Sequence, residues 1–282
     1  MVAYREMTPE DIAAGLALCR SAGWNQTSRD WEFFMRINPM GSQVAVEESG
    51  MVVGTVATLR YSDHFSWISM VLVDPAMQRQ GIGIQLLRES LRILCDDDTV
   101  KLDATPSGRE IYLQLNFVDE YPLTRMYNGA LVTTTLPASL ARPVGPGDMP
   151  ALLQFDREVF GADRGNVLEW LVEGAPQYAF LLEDHGYIIG YCFGRQGYHF
   201  THIGPVVSRT PDGAKQILSA ALGTCGGKQI IIDALKHSAP WTDWLTSIGF
   251  EAQRPLMRMY RGTNAHPGLP QFQFAILGPE FG

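Results

Sequence analysis

The sequence has no run of lysines and arginines and no one-sided basic helix, and its 22 basic residues are outnumbered by 30 acidic ones, a formal net charge of -8. A phosphate-backbone partner needs a concentrated positive face, so nucleic acid is not an expected ligand. Cysteine is scarce. Cys19, Cys95, Cys192 and Cys225 lie far apart with no CxxC pair, which indicates neither a zinc knuckle nor a disulfide framework. No metal is expected. No stretch approaches about 18 uninterrupted apolar residues, the length a bilayer-crossing helix needs, and the opening MVAYREMTPED has no apolar signal core. The expectation is a cytoplasmic protein with reduced thiols and no membrane partner. Apolar residues are plentiful. They make up 46% of the 282 residues, against 18% charged, enough to fill the cores of two domains of ordinary size.

An internal repeat divides the chain. REMTPED (Arg5 to Asp11) and RPVGPGD (Arg142 to Asp148) share a spacing, as do Gly50 and Gly54 in EESGMVVG and Gly186 and Gly190 in EDHGYIIG. Phe117 is followed eight positions later by RMYNG, and Phe250 by RMYRG. Proline and glycine concentrate between Pro137 and Pro146, which marks a linker and places two domains at 1–138 and 139–282. In the first copy, strands are expected near 2–7, 43–48, 51–60, 65–73 and 100–104, helices near 9–22, 28–36, 81–95 and 107–115, and two further strands at the end. The fold class is α/β, a mixed sheet with helices.

One segment carries chemistry. SWISMVLVD (Ser66 to Asp74) is nearly continuous apolar sequence, as a strand covered on both faces requires. QRQGIG (Gln78 to Gly83) follows, then a helix with Ile84, Leu87, Leu91 and Leu94 on one face. Glycines at 81 and 83 let a ligand approach the backbone, and the helix amino terminus adds free N–H groups and partial positive charge, a cradle for pyrophosphate. The pattern is short enough to arise by chance. RPVGPG (Arg142 to Gly147) also fits it, but its two prolines remove donors that a phosphate needs and no buried strand precedes it.

Strand, glycine turn and helix in this order resemble the Gcn5-related N-acetyltransferases, the GNAT superfamily, whose motif is Gln/Arg-x-x-Gly-x-Gly/Ala after the fourth strand. The resemblance covers nearly all of the first copy and implies two tandem GNAT-like domains. It also implies acetyl-CoA as cosubstrate, with Gln78, Arg79, Gln80, Gly81, Ile82 and Gly83 on the pyrophosphate and main-chain groups near Val71 and Val73 on the pantetheine arm. REIYLQLNFVDEY resembles the family's helix ending Tyr-x-x-x-Gly-Phe, which makes Tyr112 the acid for the departing thiolate; Asn116 stands where the family has glycine. The implied reaction is direct attack by a primary amine of a small molecule. Trp24, Asp30, Trp31 and His64 are the candidate acceptor contacts, although a helix cap and core packing account equally for the first three.

The second copy lacks the loop. SRTPDGAK replaces DPAMQRQG, with Asp212 near the place of Gln78 and Lys215 near that of Gly81, and Leu245 stands where the first copy has Tyr112. It is expected to add stability, a shared sheet edge or a wall of the acceptor pocket. Asp103 and Asp233 recur at the ends of matching strands, which favours a structural hydrogen-bonding role. The alternative function is an acyl-CoA-binding regulatory protein without transfer activity. A Rossmann dinucleotide enzyme fits poorly, because Gln85 and Leu86 occupy the place of its third glycine. Monomer and homodimer both remain open.

Overall fold

The computed structural model describes residues 1–61, 65–131 and 136–282. The first copy runs β1 (Val2–Glu6), α1 (Ile12–Ser21), α2 (Ser28–Ile37), β2 (Gln43–Glu47), β3 (Val52–Tyr61), β4 (Phe65–Val73), α3 (Ile82–Ile93), β5 (Thr99–Ala104), α4 (Pro106–Leu113) and β6 (Val118–Asn128). The second repeats this order: β7 (Arg142–Pro143), α5 (Met149–Phe160), α6 (Gly165–Gly174), β8 (Phe180–Asp184), β9 (Tyr187–Gln196), β10 (Thr201–Ser208), α7 (Pro211–Gly223), β11 (Ile230–Leu235), α8 (Ala239–Ser247) and β12 (Glu251–Gly262), followed by an extra strand, β13 (Gln273–Ile276). The repeated Arg-to-Asp spacing at the head of each copy has one cause. Arg5 forks onto Asp11 at 2.6 and 2.9 Å while Asp11 also accepts from Thr8 N–H; Arg142 forks onto Asp148 at 2.7 and 2.8 Å while Asp148 accepts from Gly145 N–H.

All described strands form one sheet, in the order β1-β2-β3-β4-β5-β12-β6-β11-β13-β10-β9-β8-β7. The copies exchange strands. β12 of the second copy lies between β5 and β6 of the first, and β6 lies between β12 and β11 of the second. The final pair of strands expected within the first copy is therefore not what flanks β5; its neighbour comes from the other copy, and residues 132–135 of the expected last strand lie outside the described residues. Leu123 and Leu256, each two places before its motif arginine, face each other in register at the centre of the exchange. Asp103 stands opposite Arg258, and Asp233 opposite Arg125.

Each of those pairs is a buried bidentate fork. Arg258 donates to Asp103 at 2.9 and 2.8 Å, and Arg125 to Asp233 at 2.8 and 2.7 Å. Burial alone would raise the Asp233 carboxyl, but the Arg125 guanidinium outweighs it and holds the group well below the usual carboxylate range. The recurrence of aspartate in one motif and arginine in the other thus marks strand exchange, and neither aspartate is a free acid.

On one face of the sheet the two copies share a core, in which Trp31, Phe33 and Phe34 of α2 meet Leu168 and Trp170 of α6. On the other face α3 covers the first copy and α7 with α8 the second. Trp241 of α8 is fully buried there. No helix among the described residues is long and apolar enough to cross a membrane. Arg125→Met should cost about 3–5 kcal/mol of folding free energy, because it strands a buried carboxylate, and Arg125→Met with Asp233→Leu should recover most of that loss. Denaturant unfolding of both variants is the check; equal losses would show that the fork does not hold the strands.

Candidate active site

β4 is built to open the sheet. Its side chains alternate faces up to Trp67 and Ile68, but an extra residue at Met70, with φ 56°, shifts the register against β3 so that Met70 and Leu72 join the shared core while Val71 and Val73 turn toward α3. Thr55 Oγ1 donates to the Met70 carbonyl at 2.8 Å and fixes the bulge. Beside it, β4 pairs in parallel with β5 only from Phe65 to Trp67. Beyond Trp67 the two strands part, and residues 68–73 border a cavity of about 640 Å3, within the range of small-molecule sites.

The glycine turn forms one end of this cavity. After the turn at Pro75–Met77, capped by the Asp74 side chain on Ala76 N–H at 2.8 Å, Arg79 and Gly81 both take positive φ, 61° and 82°. Gly81 is the N-cap of α3 and has no side chain to cap it. Gln85 N–H returns to the Gly81 carbonyl at 3.0 Å, closing the first turn, and the amides before it belong to the part of a helix that has no intrahelical acceptor. An added Cβ at Gly81 would meet nothing within 4 Å and one at Gly83 would lie an ordinary 3.5 Å from Val73. The protein itself leaves this approach open.

Gln78, Arg79, Gly81, Ile82 and Gly83 line the cavity, as do Val71 and Val73. Gln80 does not; its amide turns toward Met77 Sδ, 3.8 Å away, so only its backbone can take part. Tyr112 of α4 lines the cavity too. Its ring packs on Phe117 with centroids 5.9 Å apart, and Gly108 leaves room for it, since a Cβ there would come within 3.1 Å of the ring. Burial pushes the phenol up to about 12, which keeps it protonated. Asn116 adopts φ 63°, the left-handed turn that glycine favours and asparagine tolerates.

Of the three acceptor candidates among the described residues, Trp24 borders the cavity and Asp30 and Trp31 do not. Asp30 is corrected to a structural role: its carboxylate caps α2 through Thr27 N–H at 2.6 Å and pairs with the buried Arg195 at 2.7 Å. Trp31 is likewise a core residue, fully buried with its ring 3.1 Å from where a Cβ on Gly15 would sit. His64 lies outside the described residues.

Sequence reading missed the floor of the site, which is supplied by strand exchange. Asp103, Arg125, Arg254 and Leu256 line the cavity together with Pro279 and Glu280. The α1–α2 turn is bolted to the second copy: Asn25 Oδ1 accepts from His199 and Phe200 N–H at 2.8 and 2.9 Å, and the Arg20 guanidinium lies 3.5 Å from the Tyr198 ring centroid. Both cavity carboxylates are engaged, Asp103 by Arg258 and Glu280 by Arg195.

The equivalent cleft of the second copy is filled. β10 and β11 pair in parallel only at Thr201 and His202, and β13 then inserts between them. The helix that follows is closed by its own cap, Thr210 Oγ1 accepting from Gly213 N–H at 3.1 Å. Asp212 sits in its first turn, paired with Lys215 at 3.2 Å.

Comparison with known proteins agrees with this geometry. Models described as acetyltransferase (GNAT) domain match residues 40–119 and, separately, 152–275. The holothin acyltransferase of Pseudoalteromonas sp. (strain SANK 73390) is 25% identical over 240 residues, 85% of this chain and 81% of that protein. A solved candidate acetyltransferase from Pyrococcus horikoshii is 25% identical with a TM-score of 0.81, covering 100% of this chain and 96% of that one. A tandem GNAT protein from the clavulanic acid biosynthesis pathway, 14% identical with a TM-score of 0.65 over 92% of this chain and 98% of that one, shares the fold. Enzymes of the GNAT fold use acyl-CoA as cosubstrate. With two GNAT domains in tandem and an open cleft in the first, the chain belongs to the GNAT acetyltransferase family and is an acyltransferase.

Proposed function

We propose that the chain is a cytoplasmic enzyme that transfers an acetyl group from acetyl-CoA to a primary amine of a small molecule, the amine attacking the thioester directly. In this reading residues 1–138 carry the donor site and residues 139–282 wall the acceptor. The supporting observation is that the glycine turn, the unpaired edge of β4 and the Tyr112 phenol all line one cavity.

Amides of residues 78–83 would hold the pyrophosphate, with the dipole of α3 favouring negative charge there. Main-chain groups of Val71 and Val73, on the edge that β5 leaves, would hold the pantetheine arm. The thioester supplies the activated acyl group. Tyr112 Oη then delivers its proton to the sulfur that leaves, a role that needs an acid still protonated at neutral pH. Asp103, a candidate base by position alone, is committed to Arg258 and is assigned no proton transfer.

Gly81→Asp places an acidic side chain at the phosphate approach and should abolish acetyl-CoA binding in calorimetric titration; the space there is open, but the φ of 82° strains any side chain, so Gly81→Ala, which carries the strain without the charge, is the control and should retain measurable binding. Retained binding in Gly81→Asp would move the donor site elsewhere. Tyr112→Phe should lower kcat by about 10²- to 10⁴-fold with little change in acetyl-CoA affinity. In the wild type, a phenol at about 12 predicts no falling limb of kcat through pH 10 or so, since the required proton is lost only above that range. Binding without thiol release on a broad amine panel would favour a regulatory protein.

A further inference from the structure

Two residues that line the cavity each carry one buried polar atom without a hydrogen-bond partner, and the two atoms are opposite in kind. Arg254 stands on β12 opposite Arg125 on β6 and lines the cavity. Its Nε is buried without a hydrogen-bond partner. The surrounding carboxylates are committed elsewhere, Asp233 to Arg125, Asp103 to Arg258 and Glu280 to Arg195. Burial first, and then the charge of Arg125, push the Arg254 guanidinium down to about 10, so an anion brought next to it would relieve both.

Gln26 is the second group. Its Nε2 donates to Glu280 Oε1 at 2.9 Å, and because an ionised carboxylate only accepts, this bond fixes which end of the amide is which. Gln26 Oε1 is left as a buried acceptor without a partner, on a residue that also lines the cavity. The same Glu280 is held by Arg195, so Gln26 and the second-copy wall form one continuous structure. Unpaired buried groups are costly, and a ligand that pairs them gains accordingly.

We propose that Arg254 and Gln26 form the acceptor subsite and that the acceptor is an amino carboxylic acid, its carboxylate received by the Arg254 guanidinium and its amine N–H by Gln26 Oε1. The inference rests on the acyltransferase reading above. It gives the second copy a specific role, because the residue that selects the substrate lies on the exchanged strand. Both groups belong to the α1–α2 turn and the second-copy wall, not to the glycine turn proposed for the donor phosphates.

The test is thiol release from acetyl-CoA with a panel of α-, β- and γ-amino acids and their matching carboxamides, which keep the shape and lose the charge. Wild type should prefer the best acids over their carboxamides by about 10-fold or more, and Arg254→Met should lower kcat/KM for the acids by about 10- to 100-fold and for the carboxamides, whose carbonyl loses only a neutral acceptor's bond, by several-fold less. Acetyl-CoA affinity should be unchanged in Arg254→Met, which also serves as the folding control, and Arg254→Lys should retain part of the preference. An equal fall across both series, a wild-type preference for carboxamides, or loss of acetyl-CoA binding in Arg254→Met would overturn the proposal, the last by making Arg254 a donor-phosphate ligand. Release with carboxamides alone, or release only with amines outside both series, would sink this inference and leave the acyltransferase reading standing; that reading fails separately, on the absence of release across the broad amine panel.

Discussion

Two buried arginine–aspartate forks, Asp103 with Arg258 and Asp233 with Arg125, hold each copy's long strand inside the other copy's sheet. Desolvating four charges is tolerable only because each fork satisfies both partners with two hydrogen bonds. Their symmetric placement around Leu123 and Leu256 makes the contact self-complementary, like a two-fold dimer interface contained within one chain. The floor of the first copy's cavity follows from it, since Arg254 and Leu256 reach that cavity only on the exchanged strand.

The same frame has two outcomes. Both copies bulge or shift register in the fourth strand and part from the fifth after a short parallel pairing. In the first copy the gap stays open and ends at Gly81, whose positive φ and missing side chain leave the amino terminus of α3 available. In the second the gap holds β13, and Thr210 closes the helix. The chain beyond β13 then returns to the first copy: Trp67 Nε1 donates to the Pro279 carbonyl at 2.8 Å and Phe281 stacks on Phe34 at 5.1 Å. Where the first copy has its cleft, the second has a strand that anchors this wall.

The local elements were legible because their signals are local. Ser66–Asp74 reads as a buried strand from its unbroken apolar run, and Gly81 and Gly83 mark a turn that a helix must follow. Long-range pairing leaves weaker traces. Nothing in Val118–Asn128 says that its neighbours come from the other copy; the only trace was the joint recurrence of the Asp103 and Arg125 motifs as Asp233 and Arg258, which is meaningful once each aspartate is seen to need an arginine from the other repeat. Asp30 and Trp31 misled for a related reason. A carboxylate beside tryptophans suits an amine pocket equally well as a capped helix packed on a core, and the deciding partner, Arg195, lies far along the chain. Arg254 gave no signal at all, since its isolation depends on which carboxylates the fold has already used.

If one cleft is open and the other is filled by β13, the chain has a single donor site. Calorimetric titration of acetyl-CoA into the intact protein measures this directly through its stoichiometry. One equivalent per chain is the predicted result; two equivalents would show that the second cleft also binds and would contradict the division of labour between the copies.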